Sequence, residues 1–243
     1  MINIIEIQQR MSQGFTKPWL CLGDDNKKYV VKRLNATYKG CIYEWVSAKL
    51  GQAIGLPIPR CCLVYIDESL VEYDFELIHD LGCGIGFATE YQDDLQEVSL
   101  ERINLADKGI LKDLFLFDYW INNEDRTLGE SGGNPNLYYN VVSKELVVFD
   151  HNLAFDKEFT IDELRRCHVA GSVLRGQTDL FAPEIDRQVV SSRFATAFQG
   201  LDDILEEIPE EWLEDIADAD GEIERIKVVL GKYQSDEFWE AIK

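Results

Sequence analysis

Strand-like segments are concentrated in about the first ninety residues of the chain, and helical periodicity dominates the remaining residues. Residues 19 to 34 predict a hairpin, in which the turn GDDNKK separates WLCL from YVVKRL. A second hairpin is predicted where DES separates CLVYI from LVEYDFELI. Between them, the helical segment GCIYEWVSAKLGQAIGLPIP ends at Gly55, with prolines just beyond. We therefore expect an α+β fold that opens with a small, mostly antiparallel sheet and one helix.

The second part of the sequence predicts a larger, mostly helical unit. A helical pattern covers residues 99 to 121, and LYYNVV and LVVF then predict a hairpin from Asn136 to Asp150. Thr160 and Glu163 have capping-box spacing at the start of a further helix. The glycines of LGCGIGFATEY lack the GxGxxG spacing of a dinucleotide-binding loop, so we interpret this segment as a flexible connector. The expected organisation is an N-terminal lobe at residues 1–90 and a C-terminal lobe at residues 91–243.

The composition is that of an ordinary globular protein, with 46% hydrophobic and 28% charged residues among 243. No apolar run reaches the roughly 18 residues of a membrane-spanning helix, and the N-terminal segment MINIIEIQQRM is too polar for a secretion signal. Six cysteines without a CxxC pair, and only three histidines, argue against a zinc site or a disulfide framework. We expect a soluble, cytoplasmic protein with reduced, buried thiols.

The net charge of −21 argues against nucleic acid or an anionic membrane as the main partner. Much of this charge lies between Asp202 and Glu224, where there are twelve carboxylates and no Lys or Arg. Apolar residues recur at helical spacing within the same segment. We interpret it as amphipathic helices with an acidic, solvated face, and a dedicated surface for a basic partner is the alternative.

Three polar side chains emerge from apolar segments, and together they indicate phosphoryl-transfer chemistry. Alternation places Lys32 on the same strand face as apolar residues, Asp125 follows a long apolar helix, and Asp150 follows the apolar run LVVF. A lysine can neutralise phosphates, one aspartate can accept the proton of a substrate hydroxyl, and another can hold Mg²⁺. Each residue also has a simpler interpretation: a surface lysine, a turn aspartate and a strand-end cap.

Two further positions could complete such a site. The residues Ile42, Trp45, Val46 and Leu50 predict the buried stripe of their helix, and Glu44 lies opposite that stripe, where it could meet Lys32. Asn136 directly precedes the strand expected to pair with the strand that leads to Asp150, so its amide oxygen could reach the same metal ion. Asn134 is the alternative candidate for this metal ligand. Alone, Glu44 is equally an ordinary surface glutamate, and both asparagines are ordinary turn residues.

The order and spacing of several segments resemble the HipA-like kinases and, more distantly, the phosphoinositide kinases. The resemblance runs over residues 12 to 155 and is carried by YVVK, IYEWVSAKLGQAIGLPIP, DYWINNEDRT, NPNLYY and VVFDHNLAF. It implies a bilobal protein kinase-like fold, with a small antiparallel-sheet N-lobe and a larger, mostly helical C-lobe. It also implies that ATP and Mg²⁺ are the cofactors.

The resemblance implies a role for each candidate residue. Lys32 would contact the α and β phosphates and pair with Glu44, Asp125 would be the catalytic aspartate, and Asn136 and Asp150 would hold the metal. The stretch SQGFTKP is similar in placement to the phosphate-covering loop, which would make its residues nucleotide ligands: Ser12, Gly14, Thr16 and Lys17. In some HipA-type kinases a serine of this loop is autophosphorylated, so Ser12 is also a candidate regulatory site.

The chain departs from the family pattern in two loops. The segment from Asp125 to Asn136 is longer than in these families because of an insertion around GESGG, which leaves the choice between Asn134 and Asn136 open. The phosphate loop has a single glycine, Gly14, so fewer backbone N–H groups can approach a phosphate closely. Weak ATP affinity, or closure only with substrate bound, is compatible with this loop.

The resemblance and the residues together predict a kinase that transfers the γ-phosphoryl group of Mg-ATP to a serine or threonine of a protein. A lipid substrate is disfavoured because no basic surface is evident, although Lys157, Arg165, Arg166 and Arg175 could gather near the cleft. The alternatives are a pseudokinase that binds without turnover and an adenylyltransferase on the same fold. The expected partners are a protein substrate and a cognate antitoxin or other regulator.

Overall fold

The computed structural model describes residues 1–11, 16–129, 132–171 and 187–242. Its strands are β1 Ile2–Arg10, β2 Trp19–Gly23, β3 Lys28–Lys32, β4 Cys61–Ile66, β5 Gly84–Glu90, β6 Leu95–Glu97, β7 Leu137–Asn140 and β8 Leu146–Val148. Its helices are α1 Tyr38–Ala53, α2 Phe75–Asp80, α3 Leu100–Leu105, α4 Lys108–Trp120, α5 Ile161–Cys167, α6 Arg187–Gln199, α7 Leu201–Glu206, α8 Glu210–Glu214, α9 Ala219–Gly231 and α10 Asp236–Ala241.

The N-terminal strands form a closed five-stranded barrel in the order β1-β2-β3-β5-β4. All pairs are antiparallel except β1 with β4. The first predicted hairpin is confirmed as β2 and β3, in which Trp19 pairs with Val31. Closure removes the free sheet edges that would otherwise attract other chains.

The second predicted hairpin is wrong in its second strand. LVEYDFELI contains helix α2, because the Asp74 carboxylate accepts hydrogen bonds from the backbone N–H groups of Glu76 and Leu77 and caps the helix. The missing partner strand is β5, which lies in the glycine-containing segment predicted to be a connector. It pairs with β3 and β4, so it is the central strand through which both join. A Cβ at Gly86 would lie 3.2 Å from the Lys32 carbonyl oxygen, so a glycine suits this crowded position.

Helix α1 is buried on almost every side. The predicted stripe of Ile42, Trp45, Val46 and Leu50 is buried, but so is the opposite side, where Glu44 is 2% exposed. The reason is a second layer: α6, α7 and α8 pack against α1, and the Trp45 indole donates to the Ile204 carbonyl at 3.0 Å. The helix therefore shares one core with the C-terminal helices. A boundary between lobes at residue 90 stays a prediction.

The C-terminal part contains the predicted hairpin and a divided helix. Strands β7 and β8 pair in antiparallel fashion and extend to β6. The helical pattern of residues 99 to 121 is split into α3 and α4, because Asp107 caps α4 with a bond from the Ile110 N–H at 3.0 Å. Thr160 caps α5, as its spacing from Glu163 predicts. No helix in the described residues is long and apolar enough to cross a membrane.

The acidic C-terminal segment is only partly a solvated face. Its helices α7, α8 and α9 were expected, but three of its carboxylates bind cations of the N-terminal region. These ion pairs join Glu207 with Lys49, Glu211 with Arg33, and Glu222 with Lys39. The acidic run therefore attaches the C-terminal helices to α1 and to the end of β3.

A fully buried ionic network fixes the loop after α4. The Asp118 carboxylate accepts from Arg126 Nε at 2.7 Å and from Asn123 Nδ2 at 2.7 Å, and it lies 2.9 Å from His168 Nε2. Burial alone would raise the pKa of Asp118, but the Arg126 guanidinium and then His168 outweigh it and hold the pKa well below its usual range. Burial lowers the pKa of His168. The network ties α4, the loop after it and the end of α5 together.

Replacing Asp118 with Asn should destabilise the fold by about 3–5 kcal/mol, because Arg126 would stay buried without a carboxylate. Since the folded pKa of Asp118 is depressed, the contribution of its carboxylate is present above the ordinary pKa of about 3.9 and is lost as the pH falls towards the folded value. The free energy of unfolding in urea, measured from pH 7 down to pH 3, should show the gap between wild type and Asp118→Asn shrinking at acidic pH.

Asp203→Asn, at an exposed position, is the control and should change stability by about 0.5 kcal/mol or less. A gap that is independent of pH, or an Asp118→Asn variant as stable as the control, would contradict the role assigned to the network.

Candidate functional site

The candidate active site is a cavity of ≈ 360 Å³ between the barrel and the β6-β7-β8 sheet. It is lined by Met11, Pro18, Val30, Lys32, Glu44, Phe87, Thr89, Tyr91, Gln92, Asp94, Leu95, Asn136, Tyr138, Phe149 and Asp150. The lining combines apolar and aromatic side chains with a cluster of charged groups, Lys32, Glu44 and Asp150, which are in contact with one another. This combination suits a ligand with a flat apolar part and a charged part.

Lys32 lies at the centre of the charged cluster. Its Nζ lies 2.5 Å from Glu44 Oε1 and 2.7 Å from Asp150 Oδ1. Strand β3, helix α1 and the end of β8 thus meet at one ammonium group, on a residue that is 7% exposed. The second oxygen of Glu44 accepts the backbone N–H of His151 at 2.9 Å, which fixes the carboxylate from the other side.

Burial and charge act in opposite directions on this cluster. Burial alone would lower the pKa of Lys32, but the carboxylates of Asp150 and Glu44 together raise it above its ordinary value. Burial would raise the pKa of Glu44, and Lys32 followed by His151 lowers it instead. The pKa of Asp150 is raised, by burial first and by the nearby charge of Glu44, against the opposing effect of Lys32. Lys32 therefore stays protonated and Glu44 ionised at neutral pH.

Asp125 lies beside the cavity and contacts it through Asn136. Its Oδ2 accepts hydrogen bonds from Asn134 Nδ2 at 2.7 Å and from Asn136 Nδ2 at 2.9 Å. Burial raises the pKa of Asp125, and the negative charge of Asp150 raises it further. Both rival asparagines thus reach the same carboxylate, but only Asn136 also lines the cavity with Asp150.

Arg126 joins the three segments of this region. Its Nη1 donates to the carbonyl of Asn136 at 2.5 Å and to that of Phe149 at 2.9 Å. Those residues stand directly before β7 and directly before Asp150, so one guanidinium sets the spacing of both. Asn136 and Asp150 have φ values of 44° and 60°, in the left-handed region. Such strained backbone persists only when its surroundings fix it, which the bonds to Arg126 help to do.

The predicted phosphate-loop residues are only partly described. Ser12 and Gly14 lie outside the described residues. The Thr16 carbonyl accepts from Asn35 Nδ2 at 3.0 Å, and Lys17 is exposed. Neither of these two lines the cavity, although their neighbours Met11 and Pro18 do. Roles for the loop residues remain predictions.

The sequence patterns did not predict most of the apolar and aromatic residues that line the cavity. Phe87 and Thr89 belong to β5, which was interpreted as a connector, and Tyr138 and Phe149 pack edge to face at 5.5 Å. Val30 had a usable signal, since strand alternation places it on the same face as Lys32. For β5, the alternating pattern of GFATE was obscured by its glycines.

The oxygen atoms present suit a hard cation such as Mg²⁺. The carboxylate of Asp150 and the amide oxygen of Asn136 belong to the classes of ligand that Mg²⁺ takes, and Asp125 and Asp150 repel each other, which a cation would relieve. Within the described ranges, no group of three or more His, Cys, Asp or Glu side chains forms a metal site. A site with few protein ligands is typical of Mg²⁺ that is shared with phosphates.

The fold is that of protein kinases. A structure of the Helicobacter pylori proinflammatory kinase CtkA superposes with a TM-score of 0.54 over 94% of this chain and 92% of that chain, at 12% identity. The Golgi casein kinase superposes with a TM-score of 0.52 over 99% of this chain and 74% of that chain, at 13% identity. A second structure of that kinase, with Mn/ADP bound, gives the same values. These likenesses confirm the expected α+β, kinase-like fold.

No curated protein has a matching sequence. The sequence profile of one family, however, matches residues 4–242, nearly the whole chain. That match extends the resemblance beyond the region that carries the motifs, through the C-terminal helices. The chain belongs to the HipA-like kinase family and is a phosphotransferase.

Proposed function

We propose that the protein transfers the γ-phosphoryl group of Mg-ATP to a serine or threonine hydroxyl of a protein. The observation that carries this proposal is the meeting of Lys32, Glu44 and Asp150 in the wall of a nucleotide-sized cavity, with Asp125 bonded to Asn136 of the same wall. These positions suggest a role for each side chain.

Lys32 neutralises phosphate oxygens that lie in the cavity beside Glu44 and Asp150. Its raised pKa keeps the ammonium protonated, and Glu44 holds it in place from α1. Asp150 and Asn136 would hold Mg²⁺, which supplies positive charge to the phosphates when bound. Because Lys32 and Asp150 are in contact at 2.7 Å, they lie close enough to serve adjacent parts of one polyphosphate.

Asp125 orients the acceptor hydroxyl and takes its proton as the hydroxyl oxygen attacks the γ-phosphorus. The bond from that phosphorus to the bridging oxygen breaks, and ADP leaves. A pKa raised by burial makes Asp125 a better proton acceptor than an exposed aspartate. The amides of Asn134 and Asn136 hold the carboxylate by one oxygen and leave the other for the substrate.

A protein substrate is favoured over a lipid because the net charge of −21 opposes an anionic membrane surface. Adenylyl transfer uses the same cofactors, but the hydroxyl attacks the α-phosphorus of ATP instead of the γ-phosphorus. ATP labelled at one or the other position therefore distinguishes the two reactions. The same labels detect a protein that binds ATP without turnover.

Incubation with ATP labelled at the γ position should label the protein itself or a protein of the source cell, whereas ATP labelled at the α position should not. Asp125→Asn should lower the rate about 10²- to 10⁴-fold, because the proton acceptor is lost. Asp150→Asn should abolish labelling by loss of a metal ligand. The measurement is the rate of label incorporation, with Asp203→Asn as a control of unchanged rate.

Transfer of the α label would replace the kinase proposal with adenylyl transfer. Binding of ATP without incorporation of either label would support a pseudokinase. Both aspartate variants should keep the wild-type melting temperature within a few degrees, because neither carboxylate lies in the apolar core.

Asn136→Ala should weaken binding of Mn²⁺ in the presence of ADP by about tenfold, because one metal ligand is lost. Asn134 also donates an amide hydrogen bond to Asp125, but it does not line the cavity. The Mn²⁺ affinity of Asn134→Ala should therefore stay within about twofold of wild type. Electron paramagnetic resonance of free Mn²⁺ measures both. A larger loss in Asn134→Ala than in Asn136→Ala would reverse the assignment.

A further inference from the structure

The glycines at positions 82 and 84 are explained by Arg33 and not by a nucleotide loop. They have φ values of +56° and +124°, which other residues rarely adopt. A Cβ at Gly82 would lie 3.0 Å from Arg33 Nη1, and a Cβ at Gly84 would lie 2.5 Å from Arg33 Nη2. The two glycines make room for the guanidinium of a buried residue that is 5% exposed.

Arg33 uses this space to hold the chain that leads into β5. Nη1 donates to the Leu81 carbonyl at 2.6 Å, Nε to the Ile85 carbonyl at 3.2 Å, and Nη2 to the Tyr38 hydroxyl at 2.7 Å. The guanidinium also lies over the Tyr38 ring, at 5.2 Å from its centroid. One side chain thus joins the end of β3, the start of α1 and the start of β5.

Helix α8 completes the arrangement from the C-terminal part of the chain. Glu211 Oε1 accepts from the Ile85 N–H at 2.8 Å and lies 3.3 Å from Arg33 Nη2. The next residue, Trp212, donates from its indole to the Ile85 carbonyl at 2.8 Å. Both backbone groups of Ile85 are therefore bonded to α8, and Glu211 links the same residue to Arg33.

This arrangement lies one residue from the lysine assigned to the phosphates. Arg33 follows Lys32, and Lys32 pairs in register with Phe87, two residues after Ile85. Both Lys32 and Phe87 line the cavity. We propose that Arg33 and Glu211 are positioning residues, through which α8 fixes the β3–β5 wall of the nucleotide cavity. This inference rests on the proposed function, because it concerns affinity for Mg-ATP.

A substitution at Glu211 can distinguish an effect on the cavity wall from an effect on folding. Its side chain is 34% exposed, and its bond to Arg33 is one of several that hold that guanidinium, so the fold should survive its loss. Its bond to the Ile85 N–H, however, fixes the backbone of the strand that forms the cavity wall. Loss of Glu211 should therefore change nucleotide affinity more than it changes stability.

The test compares Glu211→Ala with Glu210→Ala, because the amide oxygen of a glutamine could still accept the Ile85 N–H. Both variants remove one carboxylate from the first turn of the same helix, but Glu210 is an exposed residue. Titration calorimetry should show the Kd for Mg-ATP rising about three- to tenfold in Glu211→Ala, the effect of losing one charge-assisted hydrogen bond. In turnover, KM for ATP should rise by the same factor, with kcat within about twofold.

Glu210→Ala should match wild type in Kd, KM and kcat, and both variants should melt within a few degrees of wild type. If wild type binds Mg-ATP and Glu211→Ala binds it equally well, the positioning role is refuted and the proposed function stands. A fall in kcat without a rise in KM also refutes it. If wild type itself has no affinity for Mg-ATP, the proposed function fails and this inference fails with it.

Discussion

The burial of α1 is the constraint on which the rest of the molecule depends. A helix that packs against a sheet on one side and meets water on the other can shift, and a carboxylate on it can swing away from its partner. Here the second side is covered by the C-terminal helices, so Glu44 is held in a fixed position next to Lys32. The helix therefore belongs mechanically to the C-terminal part of the chain, although its sequence lies among the N-terminal strands.

The charges at the cavity are the second determinant. Among the charged residues that line it in the described part of the chain, the buried lysine Lys32 contacts the two carboxylates of Glu44 and Asp150, and Asp125 lies nearby behind Asn136. Buried negative charge in excess is costly unless cations compensate it. The raised pKa of Asp150 and of Asp125 expresses that cost. A divalent cation beside these carboxylates would lower it, which is consistent with the oxygen ligands that Asp150 and Asn136 offer.

The sequence contained enough information to place the charged residues, because their signals are local. A lysine on an alternating strand and an aspartate after a run of apolar residues are visible in windows of a few positions, and Lys32 and Asp150 do meet. The Asp118 network was not predictable in the same way, since Arg126 and His168 come from different elements. The available signal was Asp118, an aspartate between the aromatic residues Phe117 and Tyr119 in the apolar helix of residues 108–120. Strand β5 was missed because glycines in and before it are typical of a loop. Gly82 and Gly84 make room for Arg33, which is remote from them in the sequence.

The acidic C-terminal run shows the same limitation. Charge patterning alone favoured a solvated face, because it cannot reveal which carboxylates meet a distant cation. Glu211 and Glu222 do so, with Arg33 and with Lys39 respectively.

The covering of α1 also sets an order of events during synthesis. Trp45 and its neighbours are made early, whereas Ile204, whose carbonyl accepts the Trp45 indole N–H, is made about 160 residues later. In the interval the nascent chain exposes a large apolar helix face that its own strands do not cover. Chaperones recognise such surfaces, and an unfinished chain lacks the support that fixes Glu44. The cluster of Lys32, Glu44 and Asp150 is thus fixed in place only after the helices that cover α1 have been made and have folded against it.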